Sequence, residues 1–205
     1  MDQNIWYNNQ HISIEDLEQI YIDCEQLMAD HIYDYHYSDN QFVLASPRYG
    51  MNSLRVLAQT YPSLTVQISG GVAYQDQKRI EISTAETYTL TNPPSILGGG
   101  FNITRIDLIY LLLDEEELYP FSKDFIDANR NIYQETVYTR KCTSYTINKV
   151  TGVYNIGGGS KPSIPSNGIA LAYIHLRDGT NKIYNTDTGS LNEGFIEDAR
   201  NLVTP

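Results

Sequence analysis

Apolar residues crowd most densely between Thr104 and Leu113, after three glycines at 98–100 and before four acids at Asp114 to Glu117. In a strand alternate residues share a face. Arg105, Asp107, Ile109, Leu111 and Leu113 therefore fall on one side, and Ile106, Leu108, Tyr110 and Leu112 on the other. Both sides are mainly apolar, which predicts a central strand covered on both faces. Arg105 and Asp107 then sit two apart on one face, where they can pair.

Upstream the pattern has a shorter period. Short strand-forming stretches recur at residues 42–45, 53–58, 63–68, 72–74, 79–82 and 87–91, with clean apolar/polar alternation in Leu64 to Ile68, and Pro, Gly, Asn and Ser mark turns between them. Downstream, the acids at 114–117 read as a turn and Pro120 to Asn129 as one or two helical turns. Val137 to Ile147 and Val153 to Ile156 read as strands. Gly168 to Leu176 is a second strong strand, with Lys182 to Tyr184 pairing back across the Asp178-Gly179 turn. Residues 194–200 read as a short turn or helix. Short strands with turn signals at this spacing predict a mainly β chain, an antiparallel β-sandwich.

The first forty residues differ. Residues 1–12 form a polar arm carrying Ile5, Trp6 and Tyr7, and Ser13 is a good N-cap with Glu15 and Asp16 in the following turn. Ile14, Leu17, Ile20, Tyr21, Cys24, Leu27 and Met28 then trace one stripe at helical spacing, predicting an amphipathic α-helix over about 13–30. The stripe packs either on the chain's own sheet or in a short bundle between copies of the chain. Two and a half heptads leave both open. The second choice makes Leu17, Ile20, Tyr21, Cys24, Leu27 and Met28 an oligomer interface. The division expected is 1–40, arm and helix for attachment, and 41–205, the sandwich.

Charge narrows the partners. Among 205 residues, 14 Lys and Arg face 25 Asp and Glu, a net charge of −11. Nucleic acid held through its phosphates needs clustered cations, so that class is excluded as an expectation. The 17 tyrosines against five Phe and one Trp favour strands and amphipathic contact surfaces. Cys24 and Cys142 lie too far apart for a disulfide framework and fit no metal spacing, so two free thiols are expected, as in a reducing cytoplasm. No basic and apolar leader precedes residue 13, and no apolar run reaches the roughly 18 residues of a membrane span. The Asn102-Ile103-Thr104 sequon is read as chance.

Catalytic motifs are not found. Gly157-Gly158-Gly159-Ser160-Lys161-Pro162 lacks the Gly-Lys-Ser/Thr that opens a helix in a phosphate loop. Asp114, Glu115, Glu116 and Glu117 could in principle supply the two acids of a glycosidase, and a solvated turn explains the run better. His31, Asp34, His36 and Asp39 match no zinc pattern. His175, flanked by Ile174 and Leu176, reads as a hydrogen-bonded core or interface residue. No cofactor is expected. Arg105 and Asp107 read as a structural pair that fixes register, with Asp198 and Arg200 joining the same polar network.

Five short motifs in order resemble a module of bacteriophage tails, found in tail-fibre anchors and baseplate-attached adaptor or receptor-binding proteins. They are Gly71-Val72-Ala73-Tyr74, Arg105-Ile106-Asp107-Leu108-Ile109, Pro162-Ser163-Ile164-Pro165, Leu171-Ala172-Tyr173-Ile174 before Asp178-Gly179, and Ile196-Glu197-Asp198-Ala199-Arg200. The resemblance covers roughly 42–200, and residues 114–161 are long and Tyr/Thr-rich where its pattern gives no counterpart. It implies a structural virion protein, assembled in the host cytoplasm as a homotrimer, docking on the baseplate or tail tip and connecting fibres or receptor-binding proteins. An end at Pro205 suits a short adaptor rather than a whole fibre. A carbohydrate-binding β-sandwich contacting the host surface is the second expectation, since loops rich in Tyr, Asn and Asp suit sugars. A glycan depolymerase is the third.

Overall fold

The computed structural model describes residues 3–4, 17, 19–21, 23–24, 41–75, 78–91, 103–126, 130–190 and 192–204. These form a mainly β fold of packed, mostly antiparallel sheets, as the alternation predicts. Leu17, Gln19, Ile20, Tyr21, Asp23 and Cys24 are helical, within the stretch marked by the apolar stripe.

The chain divides into two compact units, Met1–Tyr37 with Asp114–Ser144, and Ser38–Leu113 with Tyr145–Pro205. Asp114–Ser144, expected inside the sandwich, groups instead with the N-terminal segment.

In chain order the strands are β1 (Gln3–Asn4), β2 (Gln41–Leu44), β3 (Val56–Ala58), β4 (Thr65–Ile68), β5 (Gly71–Gln75), β6 (Lys78–Ile82) and β7 (Glu86–Thr89). After them come β8 (Ile103–Ile126), β9 (Ile132–Val150), β10 (Asn155–Ile156), β11 (Gly168–Arg177), β12 (Lys182–Tyr184), β13 (Glu193–Asp198) and β14 (Leu202–Val203). In the second unit one sheet runs β8-β11-β13-β12, with β10 also on β8; another runs β14-β2-β5-β6, and a third β3-β4-β7. Only β12 with β13 and β14 with β2 are parallel among the registered pairs.

One core joins the three sheets. Val43, Ala73 and Ile82 come from the second, Val56, Val66 and Ile68 from the third, and Ile109, Leu111, Leu171, Ile174, Leu176 and Ile196 from the first. Non-directional burial of these side chains, about 1.5–3 kcal/mol each for the larger ones, holds the layers together. The central strand behaves as expected: Arg105 through Ile109, Leu111 and Leu113 are buried, so both of its faces are covered.

Several local expectations fail. The acids at 114–117 do not turn; β8 continues through them and through Pro120 to Ile126, replacing the helical turns expected there. A β-former-rich neighbour, β9 with Val137, Tyr138, Thr139 and Thr143, decides the conformation over local propensity. Residues 194–200 do not form a turn or helix: β13 alternates buried Gly194 and Ile196 with half-buried Phe195 and Glu197.

Nor does β12 pair back on β11. Thr180 closes the turn on Arg177, its N–H and hydroxyl donating to Arg177 O at 3.0 and 2.7 Å, and β13 takes the edge of β11. The expected strand 53–58 begins only at Val56. Ser53 and Leu54 are a turn, and Leu54 has φ 51° with its side chain fully buried.

Gly152 is the tightest approach along β8. A Cβ there would stand 2.1 Å from Ile106 O, a backbone atom that cannot swing aside. Gly152→Ala should therefore cost stability at the upper end of the roughly 1–3 kcal/mol typical of overpacking, read as a lowered midpoint in chemical denaturation. An unchanged midpoint would show that the turn can shift freely.

Candidate functional site

Arg105 and Asp107 stand on the core-facing side of β8, in register with Leu176 and Ile174 of β11. Arg105 Nη2 donates to Asp107 Oδ2 at 2.9 Å. Its Nε lies 2.9 Å from Oδ1, a charge contact without hydrogen-bond alignment. The side chains are 6% and 0% exposed. Gly152 N donates to Asp107 Oδ1 at 3.0 Å. Lys149 Nζ stands 3.9 Å from Oδ2 and donates to Thr91 Oγ1 at 3.1 Å. The Arg105 guanidinium lies over the Tyr154 ring, 4.9 Å from its centroid. Burial raises the pKa of the Tyr154 hydroxyl, with the Arg105 charge opposing. The Asp107 carboxylate is engaged by groups of the chain itself.

Asp198 and Arg200, expected in the same network, form a separate one. Arg200 Nε and Nη2 donate to Asp198 Oδ1 and Oδ2 at 2.8 and 2.6 Å, and Nη1 donates to Met51 O and Ser53 O at 3.1 and 2.5 Å. Hydrogen bonds from Arg200 hold the Asp198 pKa low against burial. The reason for the separation is topological. β11 lies between β8 and β13, so the two pairs are about two strand spacings, ~10 Å, apart. This second pair ties the end of the chain to the 51–53 turn.

Of the expected interface residues, Leu17, Tyr21 and Cys24 are exposed and Ile20 is half-buried. Cys24 is a free thiol. Leu27 and Met28 lie outside the described residues, as do His31, Asp34, His36 and Asp39. Glu116 and Glu117 fall within β8 rather than in a turn.

The outer face of β8, β11 and β13 carries a cluster that no sequence motif marks. Pairing sets Ile106, His175 and Phe195 in one row, Thr104 beside Arg177 in the next, and Leu108, Tyr173 and Glu197 in a third. His175 and Phe195 stack at 4.2 Å with planes 6° apart. His175 Nε2 is 2.8 Å from Glu197 Oε2, so the histidine is hydrogen-bonded, as its apolar flanks implied. Lys161 Nζ donates to Glu197 Oε1 at 2.5 Å and lies 4.9 Å from the Tyr173 ring centre. The Gly-rich loop thus ends in a latch to β13, and its lysine is an ion-pair partner.

A groove of about 310 Å³ opens in this face, lined by Thr104, Ile106, Gly158, Gly159, His175, Leu176, Arg177 and Phe195. Gly159 N donates to Thr104 Oγ1 at 2.6 Å, holding the loop beside it. Arg177 grips both Asp187 oxygens at 2.8 and 3.0 Å and donates to Ser190 O at 2.7 Å. The Gly189 N–H, with Arg177, lowers the Asp187 pKa. Lys161 and then His175, by hydrogen bonds, lower that of Glu197 against burial. The result is an apolar floor ringed by mutually satisfied charges, which suits holding a ligand. The signal was present as Tyr173, His175 and Arg177 alternating with Ala172, Ile174 and Leu176. It could not be joined to Phe195 and Glu197 before β13 was known to be a strand.

Comparison with protein-family models, curated proteins and solved structures finds no match to this chain.

Two measurements follow from these pairs. Asp107→Ala strands Arg105 in the core and should cost about 3–5 kcal/mol, while Arg105→Met with Asp107→Leu should recover most of it. Denaturant titration separates these, and a harmless Asp107→Ala would refute the structural role. Glu197 has a folded pKa below its ordinary 4.5. Its contribution is therefore present above that value and lost as pH falls through the lower folded one. With its side chain 38% exposed, the effect is under about 1 kcal/mol. Glu197→Gln should flatten the acid limb of a melting-temperature profile only below about pH 4.5.

Proposed function

We propose that this chain is a structural protein of a bacteriophage tail, an adaptor that docks on the baseplate or tail tip and connects fibres or receptor-binding proteins. Its action is binding, and it works as a homo-oligomer, a trimer by the resemblance of its ordered motifs. The observation that supports this reading most is the surface of the first unit. Among its residues of described burial, Phe125 alone is buried. Leu17, Tyr21, Ile132 and Tyr133 are 55, 64, 69 and 47% exposed. Large apolar side chains left uncovered on a small unit are what assembly contacts cover. A net charge of −11 argues against phosphate-rich partners.

A second reading, a β-sandwich that itself binds carbohydrate, draws support from one observation, the outer groove on β8, β11 and β13.

Native mass spectrometry tests the first reading. The wild-type chain should assemble and should copurify with tail or baseplate proteins. Leu17→Asp with Tyr21→Asp should give monomers whose near-ultraviolet circular dichroism keeps the signature of the packed β unit. A wild-type chain that stays monomeric at every concentration, and that captures no tail protein, would sink the proposal.

A further inference from the structure

We infer that the groove on the outer face of β8, β11 and β13 holds a single uncharged sugar ring. The inference rests on the carbohydrate reading and gives it a place and a ligand class; it is independent of docking on a tail.

Size sets the first limit. A volume of about 310 Å³ lies at the lower end of small-ligand sites, roughly 300–1,000 Å³, and suits one ring rather than an extended chain. The floor is apolar: Ile106 on β8 abuts the stacked His175 and Phe195 rings across the sheet. Along one side, Gly158 offers bare backbone, with φ 146° and no atom within 4 Å of where a Cβ would sit. A ligand can approach the main chain there without meeting a side chain.

Charge sets the second limit. Arg177 is bound through two bonds to Asp187, and Glu197 is shared between Lys161 and His175. An anion entering the groove meets cations already committed to carboxylates, and a cation meets carboxylates already committed. With each charge already balanced by its neighbour, an entering ion finds no uncompensated counter-charge to bind, so ions gain little there.

Hydrogen bonding sets the third. Thr104 Oγ1 accepts from Gly159 N, which leaves its O–H to donate. His175 is held through Nε2, which leaves Nδ1 for a ligand. A purely apolar side chain would leave both without partners, at a cost in affinity. A neutral ring with one apolar face and several hydroxyls satisfies all three limits: its face rests on Ile106 and the stacked rings, and its hydroxyls meet Thr104 and His175.

The test titrates the full chain with D-glucose, D-galactose and N-acetyl-D-glucosamine, and with D-glucuronate as the charged control, followed by protein-observed NMR. At least one neutral sugar should bind saturably with a Kd on the order of millimolar. The shifts should centre on Gly158, Gly159, His175 and Phe195. His175→Phe keeps an aromatic ring beside Phe195 but removes both nitrogens, and Thr104→Val removes the hydroxyl; each should weaken binding by about tenfold or more. Should a variant fold poorly, the wild-type shift map alone decides. Saturable binding that maps elsewhere, or that both variants keep at full strength, overturns the groove while leaving carbohydrate binding standing. Tighter binding of glucuronate overturns the neutrality argument and with it the inference. No saturable binding by any of the three neutral sugars overturns the groove and the carbohydrate reading together.

Discussion

Taking Arg105 and Asp107 out of water costs several kcal/mol per ion unless each is paired and its remaining hydrogen-bonding groups are met. Asp107 meets that condition with a guanidinium at 2.9 Å, a backbone N–H from Gly152 at 3.0 Å and the Lys149 charge at 3.9 Å. The last two of these partners come from the end of β9 and the turn after it. The carboxylate therefore fixes where the chain leaves β9, and Gly152 is the residue that fits so close to Ile106. From that turn the chain forms β10 on the start of β8 and then lays Gly159 beside Thr104. A pair on the inner face of β8 thus sets one wall of the groove on its outer face.

The parts of the fold that could be read from the chain are those where burial alone decides. Residues 104–113 are apolar on both faces, and only a covered central strand accommodates that. Leu64 to Ile68 alternates cleanly, and the hairpin of β5 and β6 was marked by turn residues on either side of two short β-forming stretches. Reading failed where a neighbour decides. The acids after Leu113 resemble a solvated turn, yet β9 alongside draws them into a strand. Residues 193–198 are too few for their spacing to separate a helix from a strand. Pairing across Asp178-Gly179 was a reasonable expectation for a two-residue turn, but β13 competes for the same edge of β11 and buries Gly194 and Ile196 in doing so.

The same limit explains what was legible of the site. Arg105 and Asp107 share a face at the entrance to an apolar strand, so their pairing could be inferred from spacing. Asp198 and Arg200 could be inferred as a pair too, but not their distance from the first, which depends on β11 lying between. His175 was recognisable as a hydrogen-bonded residue from its apolar neighbours. Its partner Glu197 is twenty-two positions away and meets it only because Tyr173 pairs with Glu197 and His175 with Phe195. Sites assembled across strands leave little trace in local spacing.

The charge arrangement separates the two faces of the sheet in kind. On the inner face, ions are buried and each has a stabilising role, so they are unavailable to a partner. On the outer face they are half-exposed, paired with one another, and arranged around apolar surface. A chain carrying 25 acids against 14 bases repels anionic polymers at long range. Salt screens that field over a Debye length of about 8 Å at physiological strength. A groove that offers apolar contact and uncommitted hydrogen-bonding groups, with its charges already neutralised locally, would not depend on the field at all. Recognition there would change little with salt, whereas contacts built on unpaired surface charge would weaken.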